Sequence, residues 1–113
     1  MTRFTLKTLV AASALAASGA ALADITIGVI APMTGAAPGL GIPAGNQAKL
    51  WPKTIAGEKL NVIVMDDATD PNQGVTHAKR FVTNDKVDVI MGSVATPVAA
   101  AVAQVAEEAA TPQ

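Results

Sequence analysis

Apolar positions along the chain fall into short β-branched runs separated by longer segments of helical spacing. Ile25, Ile27, Val29 and Ile30 form the first run, and Pro32-Met33-Thr34-Gly35 ends it. Leu60, Val62, Ile63, Val64 and Met65 form a second that is almost continuously apolar. Val87, Val89, Ile90 and Met91 form a third. Runs of this length and composition read as strands, and an unbroken one as a strand buried on both faces, as in parallel sheets. Between the first two, Ala44 to Ile55 reads as a helix kinked at Pro52 and stopped at Gly57. Asp70-Pro71-Asn72-Gln73 opens a helix with Asp as N-cap, Pro at the first position and Gln at the third. Val75, Ala78 and Val82, with Phe81 beside them, give it one apolar face before it stops near Asn84-Asp85. Thr96-Pro97 repeats the cap-then-proline start, and Val98 to Ala110 forms an alanine-rich helix with Val102 and Val105 on one side. Strand and helix alternate three times, which predicts right-handed crossovers and a three-layer α/β domain, βαβαβα, with a parallel sheet.

The segment before the first strand changes where the domain begins. Arg3 and Lys7 lie in a start without acids, Thr8 to Ala17 is apolar, and small residues lead to Ala21-Leu22-Ala23. Those three parts in that order form a secretory signal peptide, with cleavage expected after Ala23. The apolar stretch is shorter than the roughly 20 residues a membrane span needs. Cleavage would remove Arg3 and Lys7 and leave six basic against nine acidic residues, a net charge of −3. A chain of that balance has no basic patch for phosphates, so nucleic acid is not an expected partner. The absence of cysteine excludes a disulfide framework, a thiolate metal site and a cysteine nucleophile. It also leaves no thiol after the signal for a lipid, which favours a periplasmic location.

In an open parallel sheet, ligands bind beyond the carboxyl ends of the strands. Here those ends are the loops 32–42, 66–69 and 92–96. The last combines Gly92, which lets a backbone approach closely, with Thr96, a hydroxyl at the start of a helix whose free N–H groups favour an anion. Taken alone, Thr96 reads more readily as a simple N-cap. Asp66, Asp67 and Asp70 lack the glycine and distal glutamate of a calcium loop, so no metal is assigned to them. Gly39-Leu40-Gly41-Ile42-Pro43-Ala44 has the spacing of a dinucleotide turn but starts too far from its strand. His77, the only histidine, has no visible triad or zinc partner, and Trp51 on a helix reads as packing. No cofactor is implied.

Asp24-Ile25-Thr26-Ile27-Gly28-Val29-Ile30-Ala31-Pro32-Met33-Thr34-Gly35 resembles the opening strand and turn of the leucine/isoleucine/valine-binding protein family. Met65-Asp66-Asp67-Ala68-Thr69-Asp70-Pro71, Val87-Asp88-Val89-Ile90-Met91-Gly92-Ser93 and Val105-Ala106-Glu107-Glu108-Ala109 are similar to its second strand end, third strand and following helix. The resemblance runs in register from Asp24 onward. It implies a type I periplasmic binding protein, two α/β lobes around a cleft, of which residues 24–113 would be the first part of the N-terminal lobe. It implies that the Thr96 hydroxyl and N–H hold a ligand carboxylate. Val94 and Ala95 would line the cleft with neighbouring Ser93, and Leu40 would stand where an aromatic residue often covers the ligand. The implied function is non-enzymatic: capture of a branched-chain or other hydrophobic amino acid, or a similar small carboxylate, for an ABC permease in the inner membrane. Two other readings are a secreted enzyme with a Rossmann-like fold and the ligand-sensing lobe of a receptor.

Overall fold

The computed structural model describes residues 23–113. The signal peptide expected over residues 1–23 lies outside the described residues except for Ala23. The first strand, β1 (Ile25–Ala31), is the centre of the sheet. Strand β3 (Glu58–Asp66) runs parallel along one side of it, from Ile25 opposite Leu60 to Ala31 opposite Asp66. Strand β4 (Val89–Met91) runs parallel along the other side, with Gly28 opposite Ile90. Asp88 fastens the start of this second pairing. Its N–H donates to the Thr26 carbonyl at 2.8 Å, and its carboxylate accepts from the Thr26 N–H at 2.8 Å.

The sheet has one strand beyond the sequence reading, and the first helix lies elsewhere. Helix α1 spans Pro38–Ala48, not Ala44–Ile55, and ends before Pro52. Pro43 is inside it, and Pro52 falls in the bend that follows. Thr54–Ile55 form a short strand, β2, antiparallel to the start of β3. Ala56 and Gly57 both have positive φ (51° and 84°), the backbone of a two-residue hairpin turn. Gly57 therefore closes a hairpin and does not stop a helix. The strand order is β2-β3-β1-β4, a parallel core with an antiparallel edge, where the sequence predicts a purely parallel sheet.

Helix α2 (Pro71–Arg80) starts as its sequence dictates. Asp70 is the N-cap and accepts from the Asn72 N–H at 2.8 Å. The helix widens into a π-helical turn over Phe81–Asp85, and Lys86, in a left-handed conformation, ends it. The last helix, α3, spans Thr96–Glu108. Beyond α3 the chain turns at Ala110 and returns to β4, where the Ile90 N–H donates to the Pro112 carbonyl at 2.8 Å.

Alternation along the strands sorts the side chains into two faces. Ile30 and Ile90 point into a core shared with Ala78 and Phe81 from the α2 side and Val98, Val102, Val105 and Ala106 from α3; Ile63 and Met65 pack against it. Leu60, Val62 and Val64 face the opposite way, where α1 lies. The result is three layers, as the sequence implies. The ring of Phe81 is fully buried against Gly28, in space that a Cβ at Gly28 would occupy. Among the described residues, no helix is long and apolar enough to cross a membrane.

Phe81 is the largest buried side chain of this core. In the full-length protein, Phe81→Ala should lower the unfolding free energy by about 3–5 kcal/mol, because Gly28 cannot fill the space left behind. Urea unfolding followed by circular dichroism measures this, and a loss under about 1 kcal/mol would contradict the packing described.

Candidate functional site

Because β1, β3 and β4 are parallel, their carboxyl ends lie along one edge of the sheet. Three loops meet there: 32–37 after β1, 67–70 after β3 and 92–95 after β4. The third loop is set by Gly92, whose φ of +110° and approach to the Ile30 carbonyl exclude a side chain. The Gly92–Ser93 peptide is cis. The Ser93 hydroxyl then accepts from the Ala95 N–H at 3.2 Å and tightens the turn into α3.

The start of α3 differs from the sequence reading in one respect. Ala95 is the N-cap, with φ −85° and ψ 110°, and Thr96 is the first helical residue. Thr96 is therefore not the cap, since its backbone has already turned into the helix. No side chain caps this end. The first intrahelical bond runs from the Ala99 N–H to the Ala95 carbonyl. The Thr96 and Val98 N–H groups lie ahead of it, in the first turn where helix N–H groups have no partner within the helix. Pro97, between them, has no N–H to satisfy.

The five residues singled out by sequence sit at this edge but differ in exposure. Leu40, in the first turn of α1, is 60% exposed, and Val94 is 50% exposed. Thr96 is exposed, Ser93 half-buried and Ala95 buried. Val94, Ala95 and Thr96 form a continuous segment where β4 passes into α3. Leu40 belongs to the neighbouring connection from β1 into α1.

Asp66, at the end of β3, ties the first two loops together and was not assigned this task by sequence. Its Oδ1 accepts from the N–H groups of Met33 (2.9 Å), Thr34 (3.1 Å) and Ala68 (2.9 Å), and its Oδ2 from the Thr34 hydroxyl at 2.6 Å. Thr69 adds a second tie: its hydroxyl donates to the Thr34 carbonyl at 3.3 Å and accepts from the Ala37 N–H at 3.2 Å. His77 of α2 lies behind, with Nε2 2.9 Å from the Asp66 carbonyl oxygen. Asp67 is fully buried and accepts from the Thr69 N–H at 2.7 Å, while its own N–H donates to the Ala31 carbonyl at 3.2 Å. With Asp70 capping α2, each of the three acids is committed to a different local task. The signal for the Asp66 clasp in the sequence was an acid at a strand end facing a Thr-Gly turn, a pattern too common to single out.

Trp51 lies far from this edge. With Ala48, Pro52, Leu60, Val62 and Val64, and with Lys49 and Lys53, it lines a hollow of about 170 Å³ at the carboxyl end of α1 and the amino end of β3. The hollow is at the other end of the sheet, away from the three loops.

In open parallel α/β sheets, ligands bind beyond the carboxyl ends of the strands, which is the edge where these three loops meet. The model of the periplasmic binding protein family matches residues 24–112, and the chain belongs to that family. Leu/Ile/Val-binding protein homolog 3 of Brucella melitensis is 38% identical over 107 residues, covering 86% of this chain and 28% of the relative. An extracellular ligand-binding receptor of Rhodopseudomonas palustris has a similar structure, with a TM-score of 0.75 at 44% identity over 80% of this chain and 25% of the receptor. A solute-binding protein of an ABC transporter from the same species, solved with 3,4-dihydroxybenzoic acid, has a TM-score of 0.63 at 37% identity, over 79% of this chain and 26% of its own. The chain thus spans little more than a quarter of the length of these relatives.

The environment of Asp66 carries a pH dependence. Burial pushes its pKa up, but the hydrogen bonds from the Thr34 hydroxyl and the Ala68, Thr34 and Met33 N–H groups outweigh burial and hold it below the ordinary value. A carboxyl whose pKa is depressed by folding adds stability above its unfolded value, and that stability is lost as pH falls through the folded value. Unfolding free energy of the full-length protein should therefore decline from about pH 4 downward. Asp66→Asn should flatten that part of the decline. Urea titrations between neutral and acid pH test this; an Asp66→Asn curve parallel to wild type would show that the clasp gives no linkage.

Proposed function

We propose that the full-length protein is the solute-binding subunit of an ABC importer. It captures a small carboxylate with an apolar body, a branched-chain or other hydrophobic amino acid in the first instance, and delivers it to an inner-membrane permease. It performs no chemistry on the ligand. The observation that carries this reading is the transition from β4 to α3. Within three residues it presents an exposed apolar side chain (Val94), a helix start without a side-chain cap and the exposed hydroxyl of Thr96. The free first-turn N–H groups and the helix dipole favour a carboxylate, and Val94 and Leu40 offer apolar contact to the rest of the ligand. The relatives support a binding role, since they are described as a Leu/Ile/Val-binding protein homolog, a ligand-binding receptor and a solute-binding protein.

An aromatic carboxylate is a second ligand reading. The Rhodopseudomonas palustris relative was solved with such an acid, and an open apolar contact at Leu40, where bulk would cover a ligand, leaves room for a ring. Both classes present the same carboxylate to Thr96. A thermal-shift panel of L-leucine, L-isoleucine, L-phenylalanine and 3,4-dihydroxybenzoate on the full-length protein separates them. Stabilisation by none of these carboxylates would count against the reading.

The altered cap sharpens the test at Thr96. Its hydroxyl makes no hydrogen bond to another described residue, so Thr96→Ala should change stability by no more than about 0.5 kcal/mol. If the hydroxyl holds a carboxylate, the same change removes a charge-assisted bond of about 1.5–3 kcal/mol from binding, or about ten- to hundredfold in affinity. Thr96→Ser should restore most of it. Calorimetry with whichever panel compound binds decides, and unchanged affinity in Thr96→Ala would take the side chain out of the site.

We also propose that the mature protein begins at Asp24 in the periplasm. The family match opens at that residue, directly after the expected cleavage site. Mass spectrometry of a periplasmic extract should find a chain starting at Asp24; one retaining Met1 in the cytoplasm would refute export.

A further inference from the structure

We infer that Asp66 is a positioning residue for the ligand edge: its carboxylate, with the hydroxyls of Thr34 and Thr69, holds α1 and hence Leu40 in place. The inference rests on the ligand-edge reading above and adds what keeps that edge in shape.

It begins with the weakness of α1. Pro38-Gly39-Leu40-Gly41-Ile42-Pro43-Ala44-Gly45-Asn46-Gln47-Ala48 contains three glycines and an internal proline. Glycine and proline are the two poorest helix formers, so this segment has little tendency to be helical alone. Its N-cap residue, Ala37, has no side chain able to cap, and no acid lies in its first turn. The helix must therefore be held from outside.

Two attachments are visible at its amino end, and both lead to the clasp. Gly41 lies against the Pro32 backbone with no room for a Cβ, so α1 rests on the loop after β1. The next residues of that loop, Met33 and Thr34, give both their N–H groups and the Thr34 hydroxyl to Asp66. The Ala37 N–H goes to the Thr69 hydroxyl, and the Ala37 carbonyl accepts from the Leu40 N–H at 3.1 Å. A short path thus runs from Thr69 through Ala37 to Leu40. On the far side, Ala68 and Thr69 are both held in left-handed conformations (φ 50° and 64°), which alanine and threonine rarely adopt. The Ala68 N–H to Asp66 and the Thr69 N–H to Asp67 compensate for that conformation. One carboxylate therefore organises both loops, and α1 takes its position from them.

The test uses the full-length protein and two measurements. Asp66→Asn removes the charge that three N–H groups face and puts an amide opposite the Thr34 hydroxyl. Thr34→Val and Thr69→Val each remove one hydroxyl at constant volume, and Thr34→Ser keeps it. Hydrogen exchange of the α1 amides, compared with those of α3 in the same sample, reads the clasp without any ligand. Expected is a selective loss of α1 protection of about ten- to hundredfold in Asp66→Asn, a smaller loss in the two valine variants, and recovery in Thr34→Ser. Calorimetry with L-leucine, L-isoleucine and 3,4-dihydroxybenzoate should show weakened binding in the same order for any probe that wild type binds. Unchanged α1 protection in the valine variants and in Asp66→Asn overturns the inference. So does loosened α1 with unaltered affinity, which would make the clasp a feature of folding alone. If wild type binds none of the probes, that counts against the ligand reading only, and the exchange data then decide the clasp.

Discussion

Parallel pairing on both sides of β1 is the constraint on which the remaining structure depends. Ile25 to Ala31 is bonded to β3 along its whole length and to β4 along its middle. A parallel partner cannot follow through a tight turn, so each connection must cross a face of the sheet before returning. Those crossings place α1 on one face and α2 on the other, where α3, which follows β4, packs beside α2. They also carry the carboxyl ends of the three parallel strands to one edge. That edge has three adjacent loops because β1, β3 and β4 are adjacent and point the same way, before any side chain in the loops is considered.

The two faces are packed to different degrees, and the difference follows composition. On the α2–α3 side, valines and alanines of two helices close around Phe81, Ile30 and Ile90, which are almost wholly buried. Small side chains let the helices approach each other and the sheet, and close approach is what gives a core its dispersion energy. On the other side a helix rich in glycine and proline covers the sheet. Val62 and Val64 stay half-buried there, and Leu50, just past the end of that helix, is among the most exposed apolar residues. Where burial is extensive, the position of a helix is set by its apolar face. Where it is not, hydrogen bonds at the helix end must set it, and Asp66 and Thr69 occupy that place.

This division also explains what could be read from the sequence. Strands β1 and β3, helix α2 with its Asp70 cap, and helix α3 are legible because hydrophobic period and end signals agree in each. The sequence places the first helix six residues late at its start and seven at its end because its signals conflict. Ala48, Leu50, Trp51 and Ile55 mimic helical spacing, while the true helix contains the glycines and Pro43 that normally mark a loop. Tertiary support overrides propensity there. Strand β2 was missed because it is two residues long and its turn is Ala-Gly, without the asparagine or aspartate that usually announces such hairpins. At the candidate site the residue types were legible but not their exact geometry. Thr96 next to Pro97 has the appearance of a cap and proline pair, yet the chain enters the helix one residue earlier, at Ala95.

That one-residue shift alters the chemistry available at the edge. A threonine in the cap position spends its oxygen on the helix's own N–H groups, as Asp70 does at the start of α2. With alanine as the cap, the N–H groups of Thr96 and Val98 remain without a side-chain acceptor, and the Thr96 hydroxyl is not committed to them. Ser93 is the hydroxyl that braces the turn, through the Ala95 N–H. Shape and polarity are thereby separated between neighbouring residues. Ser93 and Gly92 fix the path of the chain, Val94 supplies apolar surface, and the start of α3 keeps its donors available. An anion placed there meets donors already oriented by a helix that the buried Val98 and Val102 anchor in the core, so little ordering remains to oppose binding. The clasp at Asp66 orders the neighbouring loop in the same way, by hydrogen bonds that add to the burial of Pro32.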